Sequence, residues 1–584
     1  MDLPVNAFRR AMVIACAVLF TAGAYFVSCG LHRMWWPVWI APLPILFLAP
    51  KMRVWEAFAA ALAAHALAGL SFWNYLRYTV QFPLWLELVS ILIPSACFAF
   101  ALVLYQGFAR KNRRWLAAIS FPVVIVAAEY LFSLSQGTFI NTGYTQLKNL
   151  PVLQLAAVAG LWGISFTVNL FPAGLAALAA APAKSRLRFG TALAVYYACI
   201  LTYGFARLYN APPAHDSVVV GLVETHAGRN IFPPDAQTTM ALLQEYASQV
   251  QPLAARGAQF VLFPEMSALV PDSHLPQVDA LFQRTARAAN VQILLGVIHV
   301  TDHAGYNEGR LYSATGAIET VYRKHYPVPT WEARTTPGTG ISVLACPRPN
   351  KQDRAPSVLD APQAAGNVGI EICRDMDFPE LSRRYAEQQV GLMLVPAWDQ
   401  GVGVDAYWHG HLALMRAVED GFTMVRDAKV GLMTASDDRG RILAEEPTRP
   451  DGTLVTMLVT VPVRHDSTLY QKWGDWFAWL DLAGLAALLA LWVVGLRRGK
   501  EPQPQSNSSP ASRKQRLARA TSFMICAFSA SGDGQAFSPR RRSRNSSLSS
   551  VRAPSSMGSK LRMCDSTAND ASPNVGRLPT LVTD

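Results

Sequence analysis

Along the first 210 positions, apolar residues gather into long runs at roughly 11–30, 35–50, 54–76, 84–108, 115–134, 152–181 and 189–208, and one more run lies at 476–496. About 20 apolar residues in helical form cross a hydrocarbon core, so the pattern predicts seven spans, a soluble interval and an eighth span. The run at 35–50 is short and holds Pro37, Pro42, Pro44 and Pro50, which reads as a broken or re-entrant piece and would change the count by one. The first run is too long for a signal peptide, and another run follows it at once.

Between positions 216 and 470 the period changes. SVVVGLV (217–223), QFVLFPE (259–265), VQILLGVI (291–298), GRLYSATG (309–316), NVGIEIC (367–373), GLMLVP (391–396), FTMVRD (422–427) and TLVTMLVTV (453–461) read as strands, several too uniformly apolar to face water. Helical spacing separates them at 236–256, 274–290, 378–389 and 405–420. The expectation is a membrane bundle over 1–210, a layered α/β domain over 216–470 and a C-terminal span over 476–496. Residues 499–584, rich in Ser, Arg, Pro and Asn, have no apolar period and read as a disordered tail.

Composition agrees with a mixed membrane protein. Of the 584 residues, 51% are hydrophobic and only 16% charged, yet the mean hydropathy of +0.19 is too low for a chain that lies wholly in a bilayer. Eight scattered cysteines without a CxxC pair exclude a disulfide scaffold and a structural zinc site. The net charge of +12 would suggest nucleic acid, but residues 497–584 carry +10 of it and residues 216–470 are acidic. Within the bundle the basic residues cluster in alternate connections: Arg9/Arg10, Lys51/Arg53, Arg110 to Arg114, Lys184 to Arg188 and Arg497 to Lys500. By the positive-inside rule both termini are cytoplasmic and the α/β domain lies on the outer side.

Three strand ends carry candidate chemistry: Glu265 closes QFVLFPE, Lys324 follows IETVYR, and Cys373 closes NVGIEIC. A thiol needs a base to take its proton and a cation to favour its charged form, which Glu265 and Lys324 can supply for covalent acyl transfer. Lys324 and the N–H after Cys373 can also stabilise an oxyanion. His409 and His411 with Asp405 fit none of the usual metal spacings, so no metal or cofactor is expected. His65 and Glu129 lie within spans, where an ionisable group marks either function or a packed interior.

FPE with Glu265, YRKHYPVP with Lys324 and GIEICRDMDFP with Cys373 resemble the Glu-Lys-Cys triad of the nitrilase, or carbon–nitrogen hydrolase, superfamily. The resemblance implies a four-layer α-β-β-α sandwich. Such a domain between seven spans and one is similar to the bacterial apolipoprotein N-acyltransferases, and TGYTQLKNLPVLQLAAVAGLWGISF, MRAVEDG and TLYQKWGDWFAWL support the match over about residues 10–496. It implies Glu265 as general base, Lys324 as oxyanion-stabilising cation and Cys373 as nucleophile, with Glu332 at the position of a second essential carboxylate. The implied partners are a phospholipid acyl donor and an apolipoprotein acceptor, in the bacterial inner membrane with the catalytic domain in the periplasm.

Near the expected pocket the chain departs from the family. Arg374 and Asp375 replace the usual Tyr-Glu, Pro396-Ala397-Trp398-Asp399-Gln400 replaces Asn-Asp-Ala-Trp-Phe, and HAGRNIFPPD offers Phe232 where the family places a Trp. Glu332, Arg374 and Trp398 are therefore the candidate substrate-binding residues, Arg374 either binding a phosphate or carboxylate or pairing with Asp375 or Asp377. Two other readings remain: a membrane-anchored amidase or hydrolase that ends the cycle with water, and a non-enzymatic scaffold with a degenerate domain.

Overall fold

The computed structural model describes residues 3–29, 34–211, 216–224, 235–329, 331–346, 366–399, 404–449 and 453–498. The tail 499–584, the loop with Phe232, and Gln400 lie outside the described residues.

The apolar runs fold into helices α1 (Leu3–Cys29), α2 (Leu43–Leu48), α3 (Val54–Gly69), α4 (Leu84–Arg110), α5 (Arg114–Gln136), α6 (Leu150–Leu153), α7 (Ala156–Ala179) and α8 (Ala183–Tyr209). Six of these, α1, α3, α4, α5, α7 and α8, are long and apolar enough to cross a membrane, and Trp476–Val494 makes a seventh among the described residues. The run at 35–50 does not form a long helix. Its prolines break it into a 3-10 turn at Pro37–Trp39, the six-residue α2 and a 3-10 turn at Ala49–Lys51.

This broken segment nevertheless follows α1 over its length in the opposite direction. Met34 N donates to Val27 O at 2.8 Å, Thr21 Oγ1 to Ala41 O at 2.8 Å, and Arg10 Nη2 to Lys51 O at 3.5 Å. Irregular backbone at membrane depth needs side-chain partners. Gln106 Nε2 donates to Ala49 O and, at 2.9 Å, to Met52 O, while Trp39 Nε1 reaches Gln146 Oε1 at 3.0 Å.

The soluble part contains strands β1 (Ser217–Glu224), β2 (Phe260–Leu262), β3 (Ala268–Pro271), β4 (Gln292–Val300), β5 (Gly305–Tyr312), β6 (Ile318–Arg323), β7 (Val343–Leu344), β8 (Asn367–Ile370), β9 (Val390–Trp398), β10 (Thr423–Lys429), β11 (Leu432–Ser436), β12 (Ile442–Pro447) and β13 (Val455–Pro462). Its helices are α9 (Ala236–Ser248), α10 (Val250–Ala255), α11 (Leu275–Ala289), α12 (Pro379–Glu387), α13 (Val404–Asp420) and α14 (Leu469–Trp473), and α15 (Trp476–Arg498) returns to the bundle. One sheet runs β13-β1-β2-β4-β5-β6, with β3 beside β4, and the other runs β12-β11-β10-β9-β8-β7.

Side chains alternate across these sheets as a strand requires. In β2, Phe260 and Leu262 join Leu294, Ile370 and Leu394 between the sheets, whereas Val261 and, just past the strand, Phe263 join Tyr246, Leu253 and Phe282 under α9, α10 and α11. Helices α12 and α13 cover the other sheet, completing α-β-β-α layers. The uniformly apolar runs are thus strands buried on both faces.

Bundle and sandwich share polar groups. In α7, Gly160 adopts φ 64° and ψ −170°, which breaks the helix and leaves the Leu161 N–H without a helical acceptor. Glu419 Oε1, from α13, accepts that N–H at 2.6 Å, and its other oxygen meets Arg416 Nη2 at 2.8 Å with both side chains fully buried. A Cβ at Gly160 would lie 2.4 Å from the Tyr470 ring. Gly160→Ala therefore combines a forbidden backbone region with a clash and should cost about 2–4 kcal/mol, read as a lower denaturation midpoint of the detergent-solubilised protein.

Candidate active site

Strand order places the chemistry. β2 and β6 lie on either side of β4 and β5, so the segments leaving their ends flank Asn307 of β5. Lys324 N donates to Asn307 O at 2.9 Å, fixing the lysine where β6 ends. Its Nζ lies 2.6 Å from Glu265 Oε1 and 2.6 Å from Glu332 Oε2. Asn307 Nδ2 donates to Glu265 Oε1 and to Glu332 Oε1, each at 2.6 Å. All four residues are buried.

The two carboxylates differ in what is left over. Both oxygens of Glu332 are engaged, Oε2 also accepting the Val328 N–H at 2.8 Å. Glu265 receives both of its hydrogen bonds on Oε1, so Oε2 is uncommitted among the described residues. Lys324 keeps one N–H free in the same sense. Two carboxylates around one ammonium leave a surplus negative charge. Burial raises Glu265 above the ordinary carboxylate range; Lys324 opposes the shift and Glu332 adds to it. Burial alone would lower Lys324, but Glu265 and Glu332 hold it well above its usual value.

Cys373 follows β8 with φ +48°, a left-handed conformation that costs a non-glycine residue about 1 kcal/mol or more. Its Sγ points to Trp398 O at 3.6 Å, where β9 ends. Burial pushes the thiol well up and the Glu265 charge adds to this, while Lys324 and Arg426 pull it down. So raised, the group is a thiol at neutral pH, and any attack by this sulfur would have to shed its proton. Met266 (φ 52°) and Val430 (φ 48°) are strained in the same way beside the site and pack with Trp398 and Ile298 into an apolar wall.

Asp375 clamps the loop of Lys324 to the loop of Cys373. It accepts from His325 N at 3.0 Å, Tyr326 N at 2.9 Å, Tyr322 Oη at 2.7 Å and Ile372 N at 3.1 Å. Arg374 makes no ion pair with Asp375 or Asp377; its Nη1 donates to Pro327 O at 3.1 Å and its Nη2 to Gln136 O at 3.4 Å. Gln136 is the last residue of α5, and the next residues hold the site as well. Thr138 donates through its N–H and its Oγ1 to Asp377 O, each at 2.9 Å.

The Trp398 ring stands edge-on to Trp331 at 6.1 Å. Asp399 is bidentate to Arg426, a buried cation on β10 that acts on Cys373 and that the motif reading passed over. Asn307 was missed as well, although an Asn inside a buried strand is itself a signal. His409 turns to Tyr75 Oη at 2.8 Å and His411 to Glu445, so the two diverge. His65 meets Ser95 Oγ at 3.0 Å, and Glu129 accepts from the Thr142 N–H at 2.8 Å.

Fold and site together define a catalytic domain of the carbon–nitrogen hydrolase type carried on a helical membrane bundle. The carbon-nitrogen hydrolase family model matches residues 225–464, and the model for the apolipoprotein N-acyltransferase N-terminal domain matches residues 16–174. Bundle and sandwich are thus each similar to a part of the apolipoprotein N-acyltransferases, which supports an acyltransferase. It is 27% identical over 494 residues to an apolipoprotein N-acyltransferase of Geobacter metallireducens, covering 80% of this chain and 92% of that one. Those of Azotobacter vinelandii (26%, 80% and 92%) and Nitrosomonas europaea (25%, 70% and 85%) are also similar. Among solved structures an amidase from Nesterenkonia sp. matches with a TM-score of 0.35 and 20% identity, over 44% of this chain and 94% of that one.

Asn307 gives the site its sharpest test. Asn307→Ala removes two hydrogen bonds to buried carboxylates and should lower turnover about a hundredfold. Asn307→Asp should lose more, since it adds a third carboxylate around one ammonium and about 3 kcal/mol or more of stability goes with it. Lowering the pH should restore part of the loss in Asn307→Asp and none in Asn307→Ala, measured as steady-state rate against pH.

Proposed function

We propose that the chain transfers an acyl chain from a membrane phospholipid, through a thioester on Cys373, to the N-terminal diacylglyceryl-cysteine amine of apolipoproteins. The observation that carries this reading is the docking of the nucleophile's loop on the end of a membrane helix, through Arg374 to Gln136 O and Thr138 to Asp377 O. A site so placed meets esters at the bilayer surface.

In the first half-reaction Glu265 Oε2 takes the thiol proton as Sγ attacks the ester carbonyl, and the free N–H of Lys324 meets the developing oxyanion. The carbon–oxygen bond breaks, the departing glycerol oxygen takes the proton from Glu265, and lyso-phospholipid leaves. The lipoprotein amine then attacks the thioester and gives a proton to Glu265. The carbon–sulfur bond breaks, and the sulfur recovers the proton. Glu332, with every oxygen site occupied by protein donors, holds Lys324 in place, and Trp398 walls the acyl chain from water.

The outer, periplasmic face of a bacterial inner membrane fits the charge pattern. Basic clusters mark alternate connections, and the broken segment 34–51 runs the length of α1, which supports seven crossings before β1.

Incubating the purified chain with phospholipid should add one acyl mass to Cys373, with Cys373→Ala showing none. A diacylglyceryl-cysteine peptide should then discharge it as amide. Discharge to free fatty acid, with the peptide left unmodified, would favour the hydrolase reading. Because Glu265 must be unprotonated to act and its pKa is raised, acyl-enzyme formation should fall as the pH drops through a value above the usual 4.5 or so of a carboxylate, and Glu265→Gln should abolish it.

A further inference from the structure

The residue after the nucleophile offers a site the triad chemistry does not use. Arg374 is half-buried beside Cys373, its guanidinium 5.1 Å from the Phe378 ring. One N–H reaches Pro327 O in the Lys324 loop and another reaches Gln136 O at the outer end of α5. The remaining N–H groups have no acceptor among the described residues, and no carboxylate there lies within ion-pair distance of the guanidinium. Asp377 feels its charge without touching it. Two backbone carbonyls therefore hold an unneutralised cation at the end of a membrane helix, one residue from the acyl-accepting sulfur.

We propose that Arg374 is a specificity-determining residue that binds the phosphodiester of the acyl donor. This rests on the thioester reading above. In a glycerophospholipid, the esters and the phosphate hang from one three-carbon glycerol. A donor whose ester carbonyl reaches Cys373 Sγ thus carries its phosphate only a few bonds away, within the reach of the adjacent side chain. A guanidinium with spare N–H groups is suited to two oxygens of one phosphate, and the Gln136 carbonyl aims it at headgroup depth. The subsite distinguishes a phospholipid from a neutral lipid with identical acyl esters.

The test uses the full chain in nanodiscs and compares phosphatidylglycerol with diacylglycerol of the same acyl chains, following the acyl mass on Cys373 with time. In R374Q the ratio of the phosphatidylglycerol rate to the diacylglycerol rate should fall about tenfold or more, mainly through the lipid concentration needed for half-maximal rate, and R374K, which keeps the charge but not the fork, should retain only part of the ratio. Inorganic phosphate should not compete at the lipid's own concentration. The assignment is overturned if R374Q slows both donors equally, which would make Arg374 only a strap between Pro327 and Gln136, or if it slows neither. Competition by inorganic phosphate as effective as the lipid overturns the lipid-borne source. An unmodified chain that forms no acyl-enzyme from either donor would overturn the thioester reading and the subsite with it, which differs from a normal acyl-enzyme whose donor ratio R374Q leaves unmoved.

Discussion

One ammonium, Lys324 Nζ, sits in the interior 2.6 Å from each of two carboxylates, and much of the catalytic sandwich is arranged around keeping it there. Burying charges is expensive, and the mutual attraction of the ions repays it only when geometry is good and other donors satisfy the remaining oxygens. Asn307 meets both acids and Val328 N meets Glu332, so the cluster is held from β5, the ends of β2 and β6, and the loop between Lys324 and Glu332. The charges do not cancel. Burial and the surplus negative charge raise the proton affinity of Glu265, and the distribution of hydrogen bonds puts the open oxygen on Glu265 and not on Glu332.

The same economy of polar groups joins the sandwich to the bundle. Gly160 breaks α7 and exposes a backbone N–H that Glu419 of α13 accepts, while Thr138 and Arg374 tie the loop of Cys373 to the end of α5. Each of these is a backbone group left open by a helix end or kink, and each is closed by the other domain. A helix leaves backbone groups open only at its ends and kinks, so it is there that the loop of Cys373 can be tied to the bundle.

How much of this is legible in sequence depends on whether a residue announces itself locally. Glu265, Lys324 and Cys373 stand where apolar strands stop, and the uniform strands forecast burial on both faces. Asn307 and Arg426 lie inside strands, where a buried polar residue is a signal in itself, but which groups cross over to them from β2, β6 and β9 no local pattern records. Proline spacing marked 35–50 as irregular. Its course along α1 became visible only through the pairs Met34–Val27, Thr21–Ala41 and Arg10–Lys51. The short strands β3, β7, β11 and β12 escaped because two to six residues carry too little periodicity.

Arg374 and Asp375 show why adjacent departures from a family pattern need not share a role. Asp375 is turned inward, and its four donors come from Tyr322, His325, Tyr326 and Ile372, so it sets the distance between the two catalytic loops and holds the chain in the strained conformation at Cys373. Arg374 is turned outward, onto carbonyls of Pro327 and Gln136. In the short 3-10 turn Cys373–Asp377, successive side chains leave in different directions. The inward one must satisfy buried donors, and a carboxylate does so whether Asp or Glu supplies it. The outward one is held only by two backbone carbonyls, so under the proposed phosphodiester contact an exchange of a phenol for a guanidinium would alter recognition while leaving the carboxylate contacts behind it unchanged.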